Sequence, residues 1–106
     1  MRMKECLSYD DVLLAPQYSD IVSRKEVSLK SSLAPFDFEL PVISSPMDTV
    51  TGPSMSNAMS ACGGLGIIHR YCTVDEQAKM IRQSTAKVKA AAIGVTGDYH
   101  DRALAL

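Results

Sequence analysis

The 106 residues are 46% hydrophobic and 22% charged, and eleven Lys+Arg against twelve Asp+Glu give a formal net charge of −1. Such a composition suits a soluble globular domain and excludes disordered, collagen-like and coiled-coil chains. It also leaves no basic face for a nucleic acid, and the longest apolar runs, such as Ala90 to Val95, are far too short to span a membrane. The charged Met1–Glu5 start leads into no apolar stretch of the signal-peptide kind, and the three cysteines (Cys6, Cys62, Cys72) show no metal-type spacing. An odd cysteine count of that kind suits a reducing compartment, so a cytoplasmic location is expected.

Residues 1–40 read as an irregular segment with short strands. Leu7 to Leu14 mixes apolar and acidic residues before Pro16. Val27-Ser28-Leu29-Lys30-Ser31 alternates as a half-buried strand does. Ser32 to Glu39, with Pro35 and two phenylalanines, reads as a turn between short strands.

From 41 to 106 the pattern is strand–helix, three times. Pro41-Val42-Ile43-Ser44 is a short apolar strand opened by proline. Met55, Ala58, Met59 and Cys62 follow at i, i+3, i+4 and i+7, one face of a helix begun near Pro53 and ended by Gly63-Gly64. Leu65-Gly66-Ile67-Ile68 is the second strand. Thr73-Val74-Asp75-Glu76 has the form of a capping box opening a helix with Val74, Ala78 and Ile81 on one face. Ala90 to Val95 is the third strand, and Asp98 is placed to cap a last helix with Tyr99, Ala103 and Leu106 on one face. Short strands apolar on both faces suit a parallel sheet covered by helices. Three such units leave a sheet edge bare, so the chain reads as the opening portion of a larger α/β protein.

Parallel α/β folds bind ligands beyond the carboxyl ends of their strands. There the chain carries Ser44-Ser45-Pro46-Met47-Asp48-Thr49, His69-Arg70-Tyr71 and Thr96-Gly97-Asp98. Three converging loops of this kind favour a small polar or anionic ligand. Each residue has a plainer alternative. Ser45 satisfies backbone at a turn or meets a ligand, Met47 fills the core or lines a pocket, and Asp48 or Thr49 caps the next helix or supports the loop. His69 is a buried, hydrogen-bonded imidazole or a site residue, Arg70 a solvated charge or an anion contact, and Cys62 reads as packing. Cys72 lies before a helix N-terminus, but no base or oxyanion site is paired with it. Gly63-Gly64-Leu65-Gly66 enters a strand rather than a helix, so it is not a dinucleotide fingerprint.

Three motifs then connect. Leu7-Ser8-Tyr9-Asp10-Asp11-Val12-Leu13-Leu14-Ala15-Pro16, Ser44-Ser45-Pro46-Met47-Asp48-Thr49-Val50-Thr51 and Gly63-Gly64-Leu65-Gly66-Ile67-Ile68-His69-Arg70 resemble, in order, the N-terminal part of the IMP dehydrogenase / GMP reductase family. The resemblance implies that residues 41–106 are the first three βα units of a TIM (β/α)8 barrel, with no regulatory CBS insert, and that the complete enzyme is a homotetramer. It implies an oxidoreductase of purine nucleotides in which a cysteine attacks C2 of the purine, hydride passes to NAD and the adduct is hydrolysed. Ser45 and Met47 match the residues that line the nucleotide pocket, and Asp48 and Thr49 would support that loop. His69 and Arg70 fall near the site with no assigned role, and Ser19 to Arg24 match a stretch that contacts a neighbouring subunit's cofactor. No catalytic residue and no metal ligand of the family falls in this chain. The catalytic cysteine loop, the phosphate-binding glycines and the water-activating arginine–tyrosine pair come later in the family, as does the site near which potassium assists, and Cys6, Cys62 and Cys72 do not match the catalytic motif.

Pro46 before Met47-Asp48 resembles the dehydrogenase, which would oxidise IMP to XMP with NAD in guanine nucleotide biosynthesis. The direct run from Ile81 to Lys87 into the third strand lacks the CBS insert, as do the NADPH-dependent GMP reductases and a minority of dehydrogenases. In either case the 106 residues alone are expected to be inactive. A reading of another class is a free-standing purine-nucleotide-binding module without catalysis, which would need to fold cooperatively at this length.

Overall fold

The computed structural model describes residues 4–106; the first residues of the Met1–Glu5 start lie outside them. Residues 4–30 are exposed throughout. Their structure is local: Asp11 accepts hydrogen bonds from the Ser8 N–H and hydroxyl, both at 2.8 Å, and these hold its carboxyl below the usual range. Ser23 and Glu26 cap a single 3₁₀ turn at Arg24–Glu26 reciprocally. That turn overrides the alternation at Val27–Ser31. The Val27 N–H goes to the Arg24 carbonyl, and strand pairing begins only at Ser31. Strands β1 (Ser31–Leu33) and β2 (Phe36–Phe38) then form an antiparallel hairpin around the expected turn, with Ser31 opposite Phe38.

Strands β3 (Ile43–Ser44), β4 (Leu65–Ile68) and β5 (Ala90–Ala91) make a parallel sheet in the order β3-β4-β5. Each is followed by a helix: α1 (Pro53–Ala61), α2 (Val74–Gln83) and α3 (Tyr99–Ala105). The alternation expected from the sequence is therefore present, with Ile43 opposite Leu65 and Ile67 opposite Ala90. The run Ala90–Val95 pairs over less of its length than expected. After the Ala92 N–H bonds the Ile68 carbonyl at 2.9 Å, β4 has ended and offers no further partner.

Leu65, Ile68, Ala78 and Ala86 are the buried apolar residues, and Thr51, Ser56, Gln77, Ser84 and Arg102 are buried with them. Helix α1 turns a different face inward than the apolar periodicity indicates. Ser56 is fully buried, whereas Met55 and Cys62 are exposed. Gly66 explains this: a Cβ there would lie 2.6 Å from Ser56 Cα, so the strand admits the helix backbone itself and only a small residue fits between. Helix α2 follows its expected pattern. Thr73 and Glu76 form the capping box, Ala78 is buried, and Val74 and Ile81 are half-buried. In α3 the buried residue is Arg102, while Ala103 and Leu106 stay exposed. Asp98 stands at the start of this helix but makes no side-chain cap.

The link from α2 to β5 is fixed by α1. Asn57 Oδ1 accepts from the Ser84 hydroxyl at 3.0 Å and from the Thr85 N–H at 2.8 Å, and Ser60 Oγ accepts from the Lys87 N–H at 2.9 Å. Among the described residues no helix is long and apolar enough to cross a membrane.

Candidate functional site at the strand ends

The loops leaving β3, β4 and β5 emerge at one edge of the sheet because the strands are parallel and adjacent. The first loop is braced from within by Thr51, which is fully buried. Its Oγ1 lies 2.6 Å from the Ser45 carbonyl and 2.9 Å from Ser44 Oγ. A hydroxyl has one proton and the carbonyl can only accept, so Thr51 donates to Ser45 O and shares the second contact with the Ser44 hydroxyl. The Thr51 N–H also reaches the Met47 carbonyl at 2.9 Å, and the Thr51 carbonyl accepts from the His69 N–H at 3.2 Å. One residue thus closes the Ser45–Val50 loop and ties it to the end of β4.

Ser45 and Met47 sit on that loop with exposed side chains, Met47 half open to solvent, so the loop is held from below and presents them outward. Asp48 Oδ1 accepts the Thr49 N–H at 2.9 Å. Neither Asp48 nor Thr49 caps α1, whose N-cap is Gly52 with Pro53 behind it. In the second loop His69 Nδ1 accepts the Tyr71 N–H at 3.2 Å, and the His69 and Tyr71 rings stack with centroids 6.5 Å apart. Arg70 is exposed and lies 5.8 Å from the centre of the Tyr71 ring. In the third loop Thr96 and Gly97 are exposed.

Beneath the second and third loops lies a buried polar network. Gln77 is fully buried, and its Nε2 donates to the His69 carbonyl at 3.0 Å and to the Ala92 carbonyl at 2.8 Å. Its Oε1 accepts from Arg102 Nη1 at 2.9 Å. Arg102 Nη2 donates to the Cys72 carbonyl at 3.0 Å and to Asp98 Oδ2 at 2.6 Å. The hydrogen bond from Arg102 holds the Asp98 carboxyl below its ordinary range, and Asp98 in turn raises the Arg102 pKa. No buried side-chain nitrogen or oxygen among the described residues is left without a partner.

The sequence reading named the loop residues but missed Thr51, Gln77 and Arg102. Asp98 and Arg102 stand four apart, the spacing of a helical ion pair, and that signal was available. Gln77 gave none beyond its place beside Ala78 on the inner face of α2. A cleft of about 350 Å³ bordered by Glu39, Ser60, Cys62, Gly63 and Lys87 lies at the opposite, amino-terminal end of the strands, away from these loops. Among the described residues no group of three or more His, Cys, Asp or Glu gathers to hold a metal ion.

Comparison with known proteins places this arrangement. Residues 6–106 match the family described as the IMP dehydrogenase / GMP reductase domain. Inosine-5'-monophosphate dehydrogenase of Nitrosopumilus maritimus is 49% identical over 82 residues, 76% of this chain and 17% of that protein. GMP reductase of Leishmania donovani is 42% identical over 82 residues, with the same shares of 76% and 17%. The crystal structure of inosine 5' monophosphate dehydrogenase from Legionella pneumophila superposes with a TM-score of 0.82 at 35% identity, covering 96% of this chain and 32% of that one. The chain thus spans about a sixth of the length of these two curated relatives, 17% of each. With a match that runs through all three strand-end loops and nearly the whole described fold, the chain belongs to the IMP dehydrogenase / GMP reductase family.

Proposed function

We propose that these residues form the first three βα units of a (β/α)8-barrel enzyme, a cytoplasmic homotetramer when complete, that oxidises IMP to XMP with NAD. The observation that carries the reading is the loop after β3. Thr51 holds it closed from the buried side, and Ser45 and Met47 stand exposed on its outer surface, where a purine nucleotide would lie. Asp48 bonds within the same loop, and the identity to the Nitrosopumilus maritimus dehydrogenase, 49% against 42% for the Leishmania donovani reductase, favours the dehydrogenase. His69 and Arg70 flank the pocket in this reading without a catalytic role. Ser45 and Met47 would meet the nucleotide in this reading, and the hydride acceptor would be NAD bound beside it in the complete enzyme.

A second reading, an NADPH-dependent GMP reductase, is favoured by the short link between α2 and β5, which holds no inserted domain. The test begins with the intact mass of the purified polypeptide. If it exceeds 106 residues, IMP with NAD is compared with GMP and NADPH, and faster turnover of the second pair overturns the first reading. The 106 residues by themselves are expected to turn over neither nucleotide, and a progress curve above background from that species refutes this. Cooperative unfolding together with tight IMP binding at this length would favour instead a free-standing nucleotide-binding module.

A further inference from the structure

We infer that Gln77, held by Arg102, is a positioning residue for the nucleotide rim: its amide sets the distance between the loops that leave β4 and β5. The inference rests on the proposal that these loops border the ligand. The amide is fully used, since both Nε2 protons go to strand-end carbonyls and Oε1 receives Arg102. Its two acceptors belong to different loops, His69 at the end of β4 and Ala92 just after β5, whose N–H makes the last bond to β4 while its carbonyl turns to Gln77. Parallel strands diverge once their ladder ends, so a third group must fix how far apart the departing chains stand. A fully buried side chain with two donors does so from the helix behind.

Arg102 extends the same tie. Its guanidinium reaches Gln77, the Cys72 carbonyl in the second loop and the Asp98 carboxylate in the third. One planar fork therefore joins α2, α3 and both loops. Its fixed geometry transmits position in a way that an ammonium on a flexible stem does not.

The experiment uses the full-length polypeptide that carries these residues, with Gln77→Met, Arg102→Lys and, as a comparison, Asn57→Ala. Asn57 holds the α2–β5 link at the other end of the sheet, so its loss weakens the fold without touching the strand-end loops. Gln77→Met is expected to raise the KM for nucleotide or dinucleotide by about tenfold while kcat stays within about threefold, with Arg102→Lys smaller in the same direction. Asn57→Ala should leave both KM values within about twofold at a comparable loss of thermal stability. Equal KM values for Gln77→Met and Asn57→Ala overturn the inference, because a merely structural role would weaken both alike. If the unmodified enzyme turns over neither IMP with NAD nor GMP with NADPH, the proposed function fails, and the imidazole resonances of His69 decide the inference separately. Resonances moved by Gln77→Met and unmoved by Asn57→Ala support it; equal shifts overturn it. Should neither rim variant fold, exchange of the Gln77 side-chain amide protons in the unmodified protein gives the answer, slow exchange supporting the tie and fast exchange refuting it.

Discussion

Replacing Thr51 by valine keeps the shape of the side chain and removes its hydroxyl. The structure states what is lost. The Ser45 carbonyl loses its 2.6 Å donor and keeps the Met47 N–H, the Ser44 hydroxyl loses a partner, and both lie against a fully buried position. A net hydrogen bond contributes about 1 kcal/mol, and the half-buried Ser44 hydroxyl left without its partner adds about 1 kcal/mol more, so Thr51→Val should cost about 2 kcal/mol. Thr51→Ser keeps the hydroxyl and gives up one methyl, at about 1 kcal/mol. Hydrogen exchange reads the effect where it occurs. The Val50 and Thr51 amides both bond the Met47 carbonyl inside the braced loop, so they should exchange about thirtyfold faster in Thr51→Val if the loop opens locally. The β1–β2 hairpin should not change. The reasoning is refuted if Thr51→Val leaves these amides as protected as in the parent chain, or if Thr51→Ser exposes them more than Thr51→Val does.

Gly66→Ala should be severe, because its Cβ would meet Ser56 backbone at 2.6 Å and Gly66 sits mid-strand in β4; a loss of about 3 kcal/mol is expected in denaturant unfolding. Thr73→Ala removes the α2 cap and should cost about 1 kcal/mol, with Thr73→Ser close to the parent. Glu76 accepts from both the Thr73 N–H and hydroxyl, which lowers its pKa from an ordinary 4.5. Its stabilising contribution is therefore complete above that ordinary value and is lost as pH falls through the depressed one, so Glu76→Gln should flatten the fall of the melting temperature on acidification. Asn57→Ala leaves the Thr85 N–H without its acceptor and the Ser84 hydroxyl with only Ser56 Oγ at 3.4 Å, and should cost about 2 kcal/mol, read as faster exchange of the Lys87 amide in the same link.

What the sequence made legible was periodic or capped. The three strand–helix units, the hairpin turn between 32 and 39, and the Thr73–Glu76 box are written in local residue patterns that the tertiary structure had no reason to overrule. The face of α1 and the supports of the candidate site went unread for one cause: residues whose neighbours come from elsewhere in the chain. The apolar stripe of α1 pointed to Met55 and Cys62, yet Gly66 on the next strand admits only Ser56. Alternation at Val27–Ser31 looked like a strand, but Ser23 and Glu26 form a capping box just before it, a pattern the sequence displays and the reading passed over. In the candidate site the exposed loop residues were visible as polar clusters after apolar runs. Their supports were not, because Gln77 and Arg102 are polar residues buried by partners in other elements.

The link between α2 and β5 bears on the order of assembly. Strand β5 is two alanines long, too short and too small to choose its own alignment against β4. The anchors that deliver it stand on α1, where Asn57 and Ser60 grip the backbone at Thr85 and Lys87, 28 and 27 residues away in sequence. The first βα unit therefore acts as a jig for the third, and a chain opened anywhere between Ser84 and Ala90 would have to rebuild those two grips before its last strand could find its place.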